Sequence, residues 1–112
     1  SINEMIMYKE KLKDKLYHSA EITHEGLKIG MCHASVPFSD WNRLEEDFLR
    51  SIWSFENYKN KDIKRVDNID FVVHGHSPVK DIERRGNIFY IDTLSHYKGK
   101  ELTFLDIKTF KK

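Results

Sequence analysis

Phe71-Val72-Val73-His74-Gly75-His76-Ser77-Pro78 decides the reading of this chain, because an apolar run there stops abruptly at two histidines separated by one glycine. The run follows Asp70 and has the length and composition of a buried strand, and Gly75 and Pro78 end it within a turn. Both histidines therefore stand at a strand mouth, where α/β arrangements collect their chemistry. Upstream, Leu27-Lys28-Ile29-Gly30-Met31-Cys32-His33-Ala34 repeats the pattern, a short apolar strand that ends in a histidine. Two strands that deliver imidazoles suggest one shared metal or phosphate site. Neutral imidazole is the commonest side-chain metal ligand, and ligands from neighbouring strand ends can meet at one ion. Gly75 lets the backbone approach a ligand, and Pro78 stiffens the loop.

Working outward, Asn3 caps a helix predicted over 4–15, with Met5, Tyr8, Leu12 and Leu16 at spacings of three and four. Tyr17 to Ile22 and Leu27 to Cys32 then read as a hairpin about Thr23-His24-Glu25-Gly26. Beyond Pro37, Ser39 caps a second predicted helix in which Trp41, Leu44, Phe48, Ile52 and Phe55 form an apolar stripe expected in the core. Asn57 to Asn68 is polar and without a clean period, so a loop or an irregular helical extension is expected there. After the Phe71 strand, Val79–Glu83 and Ile88–Asp92 read as strands joined by Arg84-Arg85-Gly86-Asn87. Leu94–Tyr97 and Glu101–Ile107 read as two more, joined by Lys98-Gly99-Lys100. Trp41 and Trp53 are expected as core anchors, Cys32 as a small buried hydrophobe, and His18 and His24 as surface residues.

The chain has 112 residues, of which 39% are hydrophobic and 33% charged, the scale of one small domain with a modest core. Nineteen basic residues against eighteen acidic ones leave a net charge of +1, which offers no global attraction for nucleic acid. The cluster Lys9 to Lys15 is interleaved with Glu10 and Asp14 and reads as a solvated helix face; Lys108 to Lys112 reads as a soluble tail. One cysteine forms no internal disulfide, and no apolar run approaches the roughly 20 residues that span a bilayer. A soluble, reducing compartment, the cytoplasm, is therefore expected, with neither membrane nor nucleic acid as partner. The first methionine is Met5, so the sequence leaves open whether Ser1 is a true start or the chain is a piece of a longer protein.

Four segments occur in a telling order: Cys32-His33-Ala34, Val73-His74-Gly75-His76-Ser77-Pro78-Val79, Gly86-Asn87-Ile88-Phe89-Tyr90-Ile91-Asp92-Thr93, and Gly99-Lys100-Glu101-Leu102-Thr103-Phe104-Leu105. Together they resemble the calcineurin-like metallophosphoesterases, above all the lambda-type bacterial and phage serine/threonine protein phosphatases and their diadenosine tetraphosphate hydrolase relatives. The resemblance covers roughly residues 27 to 107 and matches the carboxyl-terminal half of that catalytic domain. It implies an α+β fold, half of an α/β/β/α sandwich, with two helices and a mixed sheet of about six short strands, residues 1–112 forming a single partial domain. It implies that His33 and His76 are ligands of one ion of a two-metal centre. His74 falls where the family usually has no ligand and becomes a neighbour of the site, as does His96, which follows Asp92-Thr93 near the expected site mouth. The expected cofactor is a divalent ion, Mn²⁺ before Fe or Zn²⁺, dinuclear only if the amino-terminal half is present. In such centres two ions about 3.5 to 4 Å apart hold a phosphate, acidify a bridging water and stabilise the leaving oxygen.

The family's Asp-x-His, Gly-Asp-x-x-Asp-Arg and Gly-Asn-His-Glu motifs do not occur in this sequence. Two histidines without them hold a metal weakly, since stable catalytic sites supply three protein ligands. Two departures fall inside the covered half: Phe55 stands where the lambda-type enzymes place a phosphate-holding arginine, and Leu94 where they have glycine after Ile-Asp-Thr. The implied function is hydrolysis of phosphate monoesters in the intact enzyme, with the isolated chain inactive. Its expected partners are the missing half of the domain or a second copy, and a phosphoester substrate. The alternative is a non-catalytic remnant, or a regulatory or oligomerisation module, that retains the histidines. A further reading takes His74-Gly75-His76 as half of a cupin-like site, which Glu83 and His96 fit only loosely.

Overall fold

The computed structural model describes residues 19–93 and 102–111, together with Asn3. The helix expected over 4–15, the strand Leu94–Tyr97, the turn at 98–100, His18 and His96 lie outside the described residues. Strand β1 (Ser19–His24) and strand β2 (Leu27–Cys32) form the expected hairpin. Its turn residues Glu25 and Gly26 both take positive φ, 50° and 79°, the conformation of a two-residue turn whose twist matches the flanking strands. β2 pairs in parallel with β3 (Phe71–His74), setting Ile29 opposite Phe71 and Met31 opposite Val73. β3 pairs in parallel with β5 (Ile88–Tyr90), and β4 (Glu83–Arg85) runs antiparallel to β5 at the edge. The result is an α+β fold around one mixed five-stranded sheet in the order β1-β2-β3-β5-β4.

Alternation along the strands divides the core in two. Cys32, Val72, Ile88 and Tyr90 face one side, packed with Val36, Leu44, Val66, Ile69 and Val79 from the crossover and loops. Ile29, Phe71 and Phe89 face the other, where Phe110 covers them with ring centroids 5.3 and 5.2 Å from Phe71 and Phe89. Cys32 is buried, as expected, and burial pushes its thiol up to about 12.

The crossover departs from the single helix expected after Ser39. Phe38 and Ser39 take positive φ, 59° and 50°, and the Trp41 N–H donates to the Asp67 carbonyl at 3.0 Å, so tertiary pairing sets the start. Trp41–Asp47 winds as a 3-10 turn. The Asp47 carboxylate then caps a separate helix α1 (Phe48–Trp53) by accepting from the Arg50 N–H, and Ser54, in an extended conformation, ends it before α2 (Glu56–Lys59). These breaks destroy the phase of the stripe. Leu44 is buried and Trp41 half-buried, but Phe55 is 38% and Trp53 76% exposed, so Trp53 is not a core anchor.

Two strand boundaries also change. The Val79 N–H donates to the Asp92 carbonyl at 2.9 Å, and the ladder expected from Val79 begins only at Glu83. The turn narrows to Gly86-Asn87, with Gly86 at φ 58° against the Lys64 carbonyl, where a Cβ would collide. Residues 102–106 form no ladder; Asp106 caps a 3-10 turn at Ile107–Thr109 that lays Ile107 on the second core.

Candidate functional site

β2 and β3 end side by side, and their pairing runs on for one step: the Gly75 N–H donates to the His33 carbonyl at 3.0 Å. A Cβ at Gly75 would lie 3.4 Å from His33 Nδ1, so glycine lets the imidazole settle against the neighbouring backbone. The Ser77 N–H then donates to the Gly75 carbonyl at 2.6 Å, closing a three-residue turn centred on His76 at φ 55°. A side-chain-bearing residue at the centre of such a turn is strained, and strain of this kind collects at functional sites. The turn throws His76 toward His33, and the two rings meet edge to face with centroids 4.9 Å apart.

His76 is held from behind by the end of the crossover. Its Nε2–H donates to the Trp53 carbonyl at 2.9 Å, its ring stacks on Phe55 at 4.2 Å, and Trp53 lies 5.8 Å away. Because a carbonyl only accepts, this bond assigns the proton to Nε2 in the neutral ring and leaves the Nδ1 lone pair for another partner. His33 lies at the surface. Partial desolvation first, and then the His76 ring, lower its pKa from the ordinary value, while Asp92 pulls it back up.

His74 points the other way, into the core. It is wholly buried, its Nδ1–H donates to the Cys32 carbonyl at 3.0 Å, and its Nε2 accepts from the Asn57 amide at 3.5 Å. Burial lowers its pKa to about 4, so the ring is neutral near pH 7. Above the sheet end, Met31, Val73 and Ile91 line a largely apolar cavity of about 380 Å³ that His33 and Gly75 also border.

The structure thus brings His33 and His76 together, sets His74 behind them as part of the wall, and leaves His96 outside the described residues. Sequence reasoning missed Asn57, which anchors His74, and the Trp53 carbonyl and Phe55 ring, which hold His76. Asn57 lies in the polar segment without a period, and a backbone carbonyl has no sequence signature. Phe55 did carry a signal, as a departure from the resembling family's arginine.

A histidine whose second ring nitrogen donates to a backbone carbonyl has the arrangement usual among metal ligands. Among the described residues, however, no group of three or more histidine, cysteine or carboxylate side chains is placed to hold an ion. The pair offers at most two nitrogen donors, and no third is placed beside them among the described residues.

No family model matches the chain. It is similar to a curated protein, serine/threonine-protein phosphatase 2 of Escherichia coli (strain K12), at 29% identity over 97 residues, 83% of this chain and 44% of that protein. The likeness is to a phosphatase. The chain spans less than half the length of this relative, and its mixed α+β sheet is compatible with the carboxyl-terminal half of a phosphoesterase fold. Among the described residues no helix is long and apolar enough to cross a membrane.

Proposed function

We propose that this chain is the carboxyl-terminal part of a metal-dependent phosphomonoesterase of the serine/threonine phosphatase type, in which His33 and His76 hold one divalent ion. The observation that carries the reading is the edge-to-face meeting of these rings at two adjacent parallel strand ends, with the His76 Nε2 proton turned onto the Trp53 carbonyl. The likeness to a phosphatase supports it. Mn²⁺ is the expected ion, with Fe or Zn²⁺ as alternatives. When bound, it supplies Lewis-acid stabilisation of phosphate oxygens and acidification of a water. The chain's own residues orient the donors: the strained turn fixes His76, Phe55 keeps its ring from rotating, and the glycine at 75 seats His33. His74 stays neutral inside the wall and braces Cys32 at the strand end. The remaining ligands and the general acid come from an amino-terminal half.

The test is hydrolysis of para-nitrophenyl phosphate with Mn²⁺ by the chain and by the longest in-frame polypeptide that contains it. Activity is expected only in the longer polypeptide and is lost in His76→Ala. Inactivity of both would sink the proposal. A non-catalytic module is the second reading, favoured by the missing third ligand among the described residues. Calorimetric titration separates the two, since a module without metal chemistry binds no Mn²⁺ or Zn²⁺ even in the longer polypeptide.

A further inference from the structure

Beside the histidine pair the surface carries two aromatic rings that orientation of the ligands does not fully use. Trp53 is 76% exposed, although its carbonyl is occupied by His76. Phe55, 38% exposed, lies over the His76 imidazole with planes only 27° apart. The backbone between them is pinned: the Ser54 carbonyl accepts from Ser35 Oγ at 2.9 Å, Ser54 Oγ accepts from the Glu56 N–H at 3.0 Å, and the Ser54 N–H donates to the Arg50 carbonyl at 3.3 Å. Exposed aromatics on a fixed backbone form a preorganised surface, which loses little freedom when a ligand settles on it. The Lys59 ammonium lies 5.4 Å from the Phe55 ring centre, and no ion pair to a carboxylate is seen for it among the described residues.

From this juxtaposition we infer that Trp53 and Phe55 are a platform for the ring of an aryl phosphate ester, whose phosphate lies toward His33 and His76 with Lys59 as an added cation. The inference rests on the phosphoesterase reading and names the substrate class. A phosphate on a phenolic oxygen keeps its ring one bond from the ester oxygen, so a phosphate at the imidazoles sets the ring against Phe55, which stacks on His76, and Trp53, which lies tilted beside it. Flat rings gain from offset or edge contact beyond the area they bury. An aliphatic ester such as phosphoserine has nothing to stack. Two aromatics and one cation thus favour an aryl leaving group over an aliphatic one.

The experiment is calorimetric titration of the longest in-frame polypeptide that contains the chain, with Mn²⁺ present, by phenyl phosphate and separately by O-phosphoserine. Phenyl phosphate is expected to bind about tenfold tighter, the scale of one stacked ring. Trp53→Ala, which leaves the residue-53 carbonyl on His76, brings the two affinities toward parity and leaves O-phosphoserine binding unchanged. Phe55→Leu, which keeps apolar bulk, lowers the ratio of the two affinities whatever it does to both through His76. Equal affinities in the unaltered polypeptide would overturn the platform and leave the phosphoesterase reading standing. Failure of both esters to bind would overturn the two together. A preference that survives both substitutions, or a concentration-dependent dimer in sedimentation that covers Trp53 and shows no preference, would also overturn it, the latter naming a second copy as the occupant.

Discussion

The Trp41 indole rests on Gly30 so closely that a Cβ there would meet three ring carbons at 2.6 to 2.8 Å, while the indole N–H donates to Glu21 Oε1 at 2.9 Å. The ring is thus fixed across the β1–β2 hairpin and cannot swing aside without giving up that bond. Gly30→Ala should destabilise the chain by about 1–3 kcal/mol through overpacking. Urea unfolding followed by tryptophan emission measures it. An unchanged midpoint would mean the indole yields freely.

Asn87 is the polar residue on which the loop after the crossover hangs. Its Oδ1 accepts from the Val66 N–H at 2.8 Å, and its Nδ2 donates to the Val66 and Ile69 carbonyls at 2.8 and 3.3 Å, all buried. Asn87→Ala strands these groups away from water and should cost about 3 kcal/mol or more. Thermal unfolding checks this, and a loss comparable to an exposed asparagine would refute it.

His74 makes stability depend on pH in a stated direction. Its ring has an ordinary value of 6.5 and is held at about 4 by burial. Above pH 6.5 neither state binds the proton and the ring adds no slope. Between 6.5 and 4 only the unfolded chain is protonated, so stability falls as pH drops, by roughly 3 kcal/mol over the whole window. His74→Asn, which keeps a donor for the Cys32 carbonyl, should remove this component. Urea midpoints for both proteins from pH 7.5 to 4.5 give the comparison, and parallel curves would show that the ring charges inside the fold.

His76 carries its side chain at φ 55°, where glycine pays no steric penalty. His76→Gly should therefore be more stable than His76→Ala by about 1 kcal/mol. Both lose the same imidazole, so any Mn²⁺ binding should fall equally in the two. Equal stabilities would show that the turn relaxes once the ring is gone.

Much of the sheet was legible because strands announce themselves in short range. The Glu25-Gly26 turn, the β2 run and the apolar stretch before His74 each carry their signal within a few residues, and the adjacency of His33 and His76 followed from two strand ends. The crossover was misread for the opposite reason. The Trp41 to Phe55 stripe has helical spacing, yet Asp47 caps a new helix and Asp67 pairs with the Trp41 N–H, a contact that only the folded chain supplies. The supports of the site were hidden in the same way. Asn57 reaches His74 from a segment with no period, and the Trp53 carbonyl is backbone chemistry that any residue could offer.

The parallel pairing of β2 with β3 has a kinetic side. Cys32 and His74 are 42 residues apart in sequence, and the whole crossover must fold back before their strands can join. Such closure spends chain entropy before it gains contacts, and parallel ladders over long loops form slowly. The hairpin of β1 and β2 needs no such excursion. The edge-to-face contact of His33 with His76 is therefore expected among the late events of folding, so its appearance would serve as a clock for completion of the sheet.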